Sequence, residues 1–485
     1  MQHLSQLPNG VPTQLFIGGK WRDSSDNKVI EVIDPATSEL LAKVSSASAG
    51  DADQAVEAAY NSQSDWEKVP PRERGEILRR AFELMTENSE EISRLMVLEN
   101  GKAIADARSE TAYAAEFFRW YSEEAVRLTG IVQHAPSGSN RIMVLRQAIG
   151  VAVLITPWNF PAAMATRKIG PALAAGCSIV LKPASDTPLT ALYLAKLLTK
   201  AGVPEGVVNV IPSNRSSEVV PGMLHDPRVR KLSFTGSTEV GRSLLREASD
   251  CIINCSMELG GNAPFIVFDD ADIDAAIEGA MVAKMRNGGE ACTAANRFYV
   301  HEKIASEFTS RLAMQMAALK VGPGLEDGVQ LGPLINAQAR EKVGSLVGNA
   351  VNSGAKVELG AEEIKGKGFF YKATVLRDVP AGAQLLNEEI FGPVAPIVSF
   401  SSEDEVIELA NATEFGLVSY LYTGNLKRGL RVAEALGSGM VGLNRGLVSD
   451  PAAPFGGVKQ SGIGREGGHE GVLEYTESKY IATSW

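Results

Sequence analysis

The chain has 485 residues, of which 45% are hydrophobic and 22% charged, with a formal net charge of −11 and a pI near 5.2. That length exceeds what one core organises, so two or three domains of an ordinary soluble protein are expected. The acidic balance excludes a general affinity for nucleic acid or anionic membrane, both of which need a basic surface.

Met1 to Gln14 is polar and reads as a flexible lead-in without a signal-peptide pattern. Leu15 to Trp21 and Val29 to Ile33 read as short strands around a Gly-Gly turn, with a second turn at Asp34-Pro35-Ala36-Thr37. From Gly50 to Gly130 the apolar spacing is helical, as in Ala52, Ala55, Ala58 and Ala59, then Ile77, Leu78, Ala81, Phe82 and Leu84. The charges on the other faces of these helices read as solvated surface. Residues 131–147 change character and read as a hairpin arm.

A regular alternation follows. Strands at Gly150–Ile155, Ser178–Lys182, Val207–Ile211 and Arg230–Phe234 lead to helices at Ala162–Ala175, Pro188–Ala201, near Ser217–Leu224 and at Thr238–Ala248. Most of these strands are near-continuous apolar runs, as in a parallel sheet covered on both faces. The architecture is Rossmann-like, although the usual GxGxxG is absent and the nearest element is Gly236-x4-Gly241. A second α/β block runs from about Glu258 to Leu443. Its strands are expected near Pro264–Phe268, Arg297–His301, Val394–Phe400, Ser419–Thr423 and Met440–Leu443. The longest apolar run, Ala148 to Ile155, is too short to span a bilayer.

The four cysteines are Cys177, Cys251, Cys255 and Cys292. They make no CxxC pair, no disulfide framework and no zinc pattern, and they suit a reducing cytoplasm. Cys292 stands apart. It follows Asn287-Gly288-Gly289-Glu290-Ala291, between a helix expected at Asp272–Arg286 and the strand at Arg297–His301. A cysteine at such a junction is placed among backbone N–H groups, as a nucleophile requires.

Four further stretches accompany it: Ile155-Thr156-Pro157-Trp158-Asn159-Phe160-Pro161, Phe234-Thr235-Gly236-Ser237-Thr238-Glu239-Val240-Gly241-Arg242, Ser256-Met257-Glu258-Leu259-Gly260-Gly261-Asn262 and Glu388-Glu389-Ile390-Phe391-Gly392-Pro393. In this order and spacing they resemble the NAD(P)-dependent aldehyde dehydrogenases, over Leu15 to Tyr480. The resemblance is nearest to the succinate-semialdehyde dehydrogenases. It implies a Rossmann-like NAD(P)-binding domain (1–130 and 148–257), a second α/β catalytic domain (258–445), and a small β oligomerisation arm and tail (131–147 and 470–485). The arm is then expected to pair with the tail of a partner subunit in a homodimer or homotetramer.

The resemblance also implies roles. Cys292 is the nucleophile, Asn159 and the Cys292 backbone N–H hold the oxyanion, and Glu258 activates the water that cleaves the thioester. The apolar, small neighbours Leu259-Gly260-Gly261 should raise the Glu258 pKa. Thr156, Trp158, Lys182, Ser185, Gly236, Ser237, Leu259, Glu389 and Phe391 are the cofactor residues, with no metal. Relatives that prefer NAD often carry glutamate at the position of Ser185; serine removes that repulsion of a 2′-phosphate. NADP+ is therefore favoured, with NAD+ the alternative.

Arg167, Arg286 and Ser449 resemble the residues that hold the substrate carboxylate in succinate-semialdehyde dehydrogenases. Two guanidiniums and a hydroxyl suit that task. Arg445 is a further charge without an assigned role. The expected substrate is an aldehyde with a distal carboxylate, succinate semialdehyde first. The alternatives are glutarate or 2-oxoglutarate semialdehyde, and an uncharged aldehyde if the arginines are ion-paired. A binding protein without activity and an esterase-type cysteine hydrolase are the remaining readings. The intact Cys292, Glu258 and Asn159 oppose the first, and the shortage of histidines (five in the chain) opposes the second. Ala294 stands two residues after Cys292, where some relatives carry a second cysteine, so no disulfide switch is expected there.

Overall fold

A computed structural model describes residues 7–484. The lead-in expected at residues 1–14 thus lies partly outside the described residues. Two large sheets organise the chain. The first has eight strands in the order Gly462–Ile463, Asn254–Glu258, Val229–Thr235, Val151–Ile155, Ile179–Lys182, Val208–Val210, Leu15–Ile17 and Lys20–Arg22. Its inner strands run parallel, and antiparallel strands close each edge. The alternation of apolar strands and helices expected from Gly150 to Ala248 is what builds it.

The second sheet has seven strands: Lys356–Leu359, Thr374–Arg377, Val394–Phe400, Ala295–His301, Ala263–Val267, Val418–Tyr422 and Met440–Leu443. Only the outer pair, Lys356–Leu359 with Thr374–Arg377, is antiparallel. Helices cover both sheets, so the strands read as apolar runs on both faces.

Two strands of the first sheet were not expected: the two-residue edge strand Gly462–Ile463 and the longer Asn254–Glu258. Asn254–Glu258 is polar in sequence yet buried over Ser256, Met257 and Glu258. Lys231 explains it. The buried amine donates to the Asn254 side chain (2.6 Å), and Ser256 donates to Glu474 (2.7 Å). A satisfied polar network replaces the apolar pattern. The strand ends at Glu258, so the first residue of the expected second block belongs to the first sheet.

Residues Ile131–His134, Arg141–Ala148 and Thr476–Thr483 form the third sheet. The hairpin arm is as expected, but its partner is corrected. The tail pairs with the arm of its own chain, from Thr476 opposite Ala148 to Thr483 opposite Arg141. The Tyr475 carbonyl accepts the Ile149 N–H (3.0 Å), so the tail enters in register with its own arm. Ile131 and Val132 on the outer strand are exposed.

The second sheet carries the cysteine loop at one end, and its centre is aromatic. Phe265 is fully buried, with Tyr422 at 5.1 Å and Phe298 at 5.2 Å between ring centroids. Phe265→Ala should cost about 3–5 kcal/mol. A thermal-shift measurement should show a clearly lower melting temperature; an unchanged one would mean the cluster is not stabilising.

Candidate active site

The helix Ile273–Met285 starts at Asp272, whose side chain accepts from the N–H groups of Asp274 and Ala275. It stops at Arg286 because the next three residues are left-handed: Asn287, Gly288 and Gly289 have φ of 54°, 61° and 79°. Asparagine and glycine are the residues that tolerate this conformation. A side chain at Gly289 would also put Cβ 2.3 Å from the Gly392 carbonyl oxygen. The chain then turns into Cys292 and the strand Ala295–His301. The half-buried Cys292 thiol is pushed up to about 12, first by burial. Glu389 and Glu258 add to the effect, and Arg167 and Arg286 oppose it. The resting thiol is protonated, so it needs a base to become a nucleophile.

Asn159 faces this loop. Its side-chain Nδ2 donates to the Glu290 carbonyl (3.0 Å). Its own carbonyl accepts from Lys102 Nζ (2.7 Å) and from Asn287 Nδ2 (2.9 Å), and Asn287 Nδ2 also reaches the Glu290 carbonyl (3.1 Å). Lys102 is paired with Glu110, and both are buried. Glu110 accepts the N–H groups of Ala162 (2.9 Å) and Ala163 (3.2 Å), capping a helix that starts at Pro161 without a cap of its own. A buried carboxylate on a helix N-terminus is favourable. None of Lys102, Glu110 and Asn287 was anticipated as a site residue.

Glu258 ends its strand 3% exposed, and neither carboxylate oxygen has a hydrogen-bond partner. Burial raises its pKa well above the ordinary range and Glu466 adds to this, while Arg167, Lys168 and Arg465 pull it down. Its neighbours Leu259 and Gly260 join the wall of a cavity of about 270 Å³ that reaches Cys292; Glu258 itself lies behind that wall. The backbone after Glu258 packs directly on the cysteine loop. A Cβ on Gly261 would fall 2.2 Å from the Cys292 carbonyl oxygen.

Arg167, Arg286 and Ser449 all reach the cavity, but they are not equivalent. Arg167 is fully buried, its Nε 2.6 Å from Glu466 Oε2 and its guanidinium 4.1 Å from the centre of the Phe455 ring. Glu466 also holds Lys168. Arg167 thus carries a resident counter-charge, as a guanidinium without water needs. Arg286 is half-buried, its guanidinium 5.1 Å from the centre of the Phe160 ring, and no carboxylate of the described residues lies within ion-pair distance. Arg445 is exposed and donates to the Leu447 carbonyl (2.8 Å), away from the cavity.

Trp158, Gly236, Ser237, Leu259, Glu389 and Phe391 line the same cavity. Thr156, Lys182 and Ser185 lie outside it, at the carboxyl ends of two adjacent parallel strands where Ile155 sits opposite Lys182. This is the crevice in which α/β sheets bind nucleotides. Lys182 is buried, its amine pushed down to about 8 by burial, and its hydrogen bond to the Pro183 carbonyl is long (3.5 Å). Such a donor fits a ribose or phosphate. Ser237 caps the helix Thr238–Ser249, accepting from the Val240 N–H (3.3 Å). Glu389 accepts the Gly261 N–H (3.1 Å), and burial pushes its carboxyl up to about 7. Among the described residues no group of His, Cys, Asp and Glu is arranged to hold a metal.

Fold and site together define an α/β nucleotide-dependent oxidoreductase with a cysteine at its centre. The chain belongs to the aldehyde dehydrogenase family, whose profile matches residues 21–481. It is 55% identical over 442 residues to a succinate-semialdehyde dehydrogenase of Paenarthrobacter nicotinovorans, covering 91% of this chain and 98% of that one. It is 49% identical over 473 residues to a glutarate-semialdehyde dehydrogenase of Pseudomonas putida, covering 97% and 98%. The crystal structure of an Escherichia coli NADP-dependent enzyme superposes with a TM-score of 0.97 at 46% identity, over 100% of this chain and 99% of the other.

The contact between Gly261 and Cys292 gives a direct test. Gly261→Ala should displace the cysteine loop and lower kcat/KM about 100-fold with the fold retained by circular dichroism. Gly348→Ala, whose Cβ meets nothing within 4 Å, should leave activity unchanged. Full activity in Gly261→Ala would mean that the loop adapts freely.

Proposed function

We propose that the protein oxidises an aldehyde bearing a distal carboxylate, succinate semialdehyde first, to the acid, with NADP+ as hydride acceptor. The observation that carries the substrate class is Arg286. It is a half-buried guanidinium in the cavity wall that makes no ion pair among the described residues; Asp106, which accepts the Asn287 N–H (3.1 Å), feels its charge only from a distance, and Ser449 lines the same cavity. An uncharged aldehyde would leave that cation unmatched in a confined site. The succinate- and glutarate-semialdehyde relatives support the same class, and glutarate semialdehyde is the alternative because a terminal clamp does not fix chain length.

In this reading Cys292 passes its proton to water entering the cavity, which carries it to solvent, and its sulfur attacks the aldehyde carbon. The new oxyanion accepts hydrogen bonds from Asn159 Nδ2 and the Cys292 backbone N–H. Trp158, Gly236, Glu389 and Phe391 would hold the nicotinamide end of NADP+ in the cavity, where the cofactor would supply the hydride acceptor that leaves a thioester on Cys292. Glu258 takes a proton from water, the hydroxide adds, the acid departs and the thiol is restored. Thr156, Trp158, Lys182, Ser185, Gly236, Ser237, Leu259, Glu389 and Phe391 are the residues we assign to the cofactor. Lys182 and Ser185 suit the 2′-phosphate, and the E. coli structural relative is itself NADP-dependent; NAD+ remains the second cofactor.

We further assign residues 1–130 and 148–257 to the cofactor domain, 258–445 to the catalytic domain, and 131–147 with 470–485 to an arm that joins subunits of a homo-oligomer. The exposed Ile131 and Val132 support the arm's role. Four free thiols, none in a disulfide, suit the cytoplasm.

Wild type should prefer succinate semialdehyde over butanal by at least about 100-fold in kcat/KM, and Arg286→Ala should remove that preference while sparing butanal turnover. Equal turnover of butanal by the wild type would reassign the enzyme to uncharged aldehydes.

The raised pKa of Glu258 sets a sign for pH. The base form appears only as pH climbs past the ordinary carboxylate range, so acid release should keep rising with pH beyond that range rather than level off within it. Glu258→Gln should release about one NADPH per site and then stall, with kcat lower by about 100- to 10,000-fold. An unchanged profile in that variant would remove Glu258 from the hydrolytic step.

A further inference from the structure

We propose that Tyr113 is a direct recognition residue for the substrate's anionic end, donating its hydroxyl beside Arg286 and Ser449. The inference rests on the carboxylate-bearing substrate class argued above.

Tyr113 lies on the helix Ile104–Glu124 and lines the cavity. It is one turn beyond Glu110, the carboxylate that caps the Pro161–Ala175 helix, so both side chains leave the same helix face toward the site. Phe117, a further turn on, packs edge-on against the Tyr113 ring, with centroids 4.8 Å apart. The ring is thus held on a rigid element, as a specificity group must be.

The hydroxyl is the informative atom. It is buried and makes no well-aligned hydrogen bond within the protein, although Arg167 and Ser449 lie close enough to interact with it weakly. The side chains that bear on it are Arg167, Arg286 and Ser449. A guanidinium has donors only and cannot accept. The Ser449 hydroxyl is the one group there able to do so, and it faces the same two cations. Donors therefore outnumber acceptors at this spot: hydroxyl oxygens are the acceptors beside Tyr113, and Glu466 answers Arg167 from its other side. A buried donor left without an acceptor is costly. A carboxylate oxygen entering the cavity supplies what all of them lack. Burial also keeps the phenol protonated despite its cationic neighbours, so it stays a donor.

The arginines divide the work. Arg167 is anchored by Glu466 and by the Phe455 ring, and its Nη2 rests on Met164 Sδ (3.0 Å). Arg286 supplies the charge that is not matched within the wall. Tyr113 and Ser449 then fix where the anion's oxygens sit, which is a matter of donor direction rather than charge.

Tyr113→Phe removes one oxygen atom and keeps the ring. Measured by NADPH formation, kcat/KM for succinate semialdehyde should fall about 10- to 100-fold, chiefly through KM, while kcat/KM for butanal stays within about twofold. Succinate should inhibit butanal oxidation by the wild type, and its inhibition constant should rise about tenfold or more in the variant. An equal loss with both aldehydes would make Tyr113 a packing residue and overturn the proposal. So would succinate kinetics within twofold of the wild type, with the preference over butanal intact; that result leaves the substrate class standing. A wild type without any preference for succinate semialdehyde would overturn both readings together.

Discussion

One carbonyl group ties the two halves of the site together. The Asn159 oxygen accepts from Lys102, which belongs to the helical region before the first sheet's core, and from Asn287, which belongs to the cysteine loop of the second. The Asn159 amide answers by donating to the Glu290 carbonyl in that same loop. A hydrogen-bonded ring thus spans the junction between the sheets. Its geometry fixes how far the Asn159 side chain stands from Cys292. Loss of any member would leave a buried carbonyl or amide short of a partner, at a cost of about 1–3 kcal/mol. The left-handed turn at Asn287 is strained for a residue with a side chain, and this ring is what holds it there.

The interior around this ring is unusually rich in ionisable groups, and they fall into two sets. Glu99 and Glu110 are buried carboxylates that cap the helices Pro188–Ala201 and Pro161–Ala175, each meeting two backbone N–H groups. Glu466 is held by Arg167 and Lys168. Glu99 and Glu110 are satisfied and position backbone, while Glu466 is matched in charge by two cations. Glu258 has no hydrogen-bond partner, and the Tyr113 hydroxyl has no well-aligned one within the protein. Those two border the cavity and its wall. Groups left unsatisfied in a buried site are the ones with work to do on something that enters it.

Much of the fold was legible. The parallel strands of the first sheet are apolar runs punctuated by glycine and proline, and helices follow them at regular intervals. Asn254–Glu258 was not legible, because its burial is made tolerable by Lys231 and Glu474, which lie far from it in sequence. The antiparallel edge at Lys356–Leu359 and Thr374–Arg377 is short and separated by a long loop, so no periodicity marks it. The tail had clear strand character, yet the sequence alone could not choose between its own arm and a partner's. In the site, Cys292, Asn159 and Glu258 stood out because each sits in a turn of distinctive composition. Glu110 and Tyr113 did not, because helical positions with mixed neighbours read as solvated surface, and Lys102 lies in the short link between the helices Ser89–Asn100 and Ile104–Glu124, where nothing local marks it as buried. Glu466 meets Arg167 from about 300 residues away, and no local pattern announces such a pair.

That pair changes how the substrate end of the cavity works. Two free guanidiniums would hold an anion by charge alone, and would also repel each other when the site is vacant of substrate. With Glu466 seated against Arg167 and Lys168, the buried cations are kept in place before any ligand arrives. Arg286 is left half-buried and able to lose water on binding. The attraction to an incoming anion then comes mainly from one residue at the cavity wall, while the buried cluster keeps the wall rigid. Selectivity for a distal carboxylate follows from that division. In the reading proposed above, the charge draws the anion in and neutral donors set the direction of its oxygens. A wall of this kind would discriminate by direction as well as by charge.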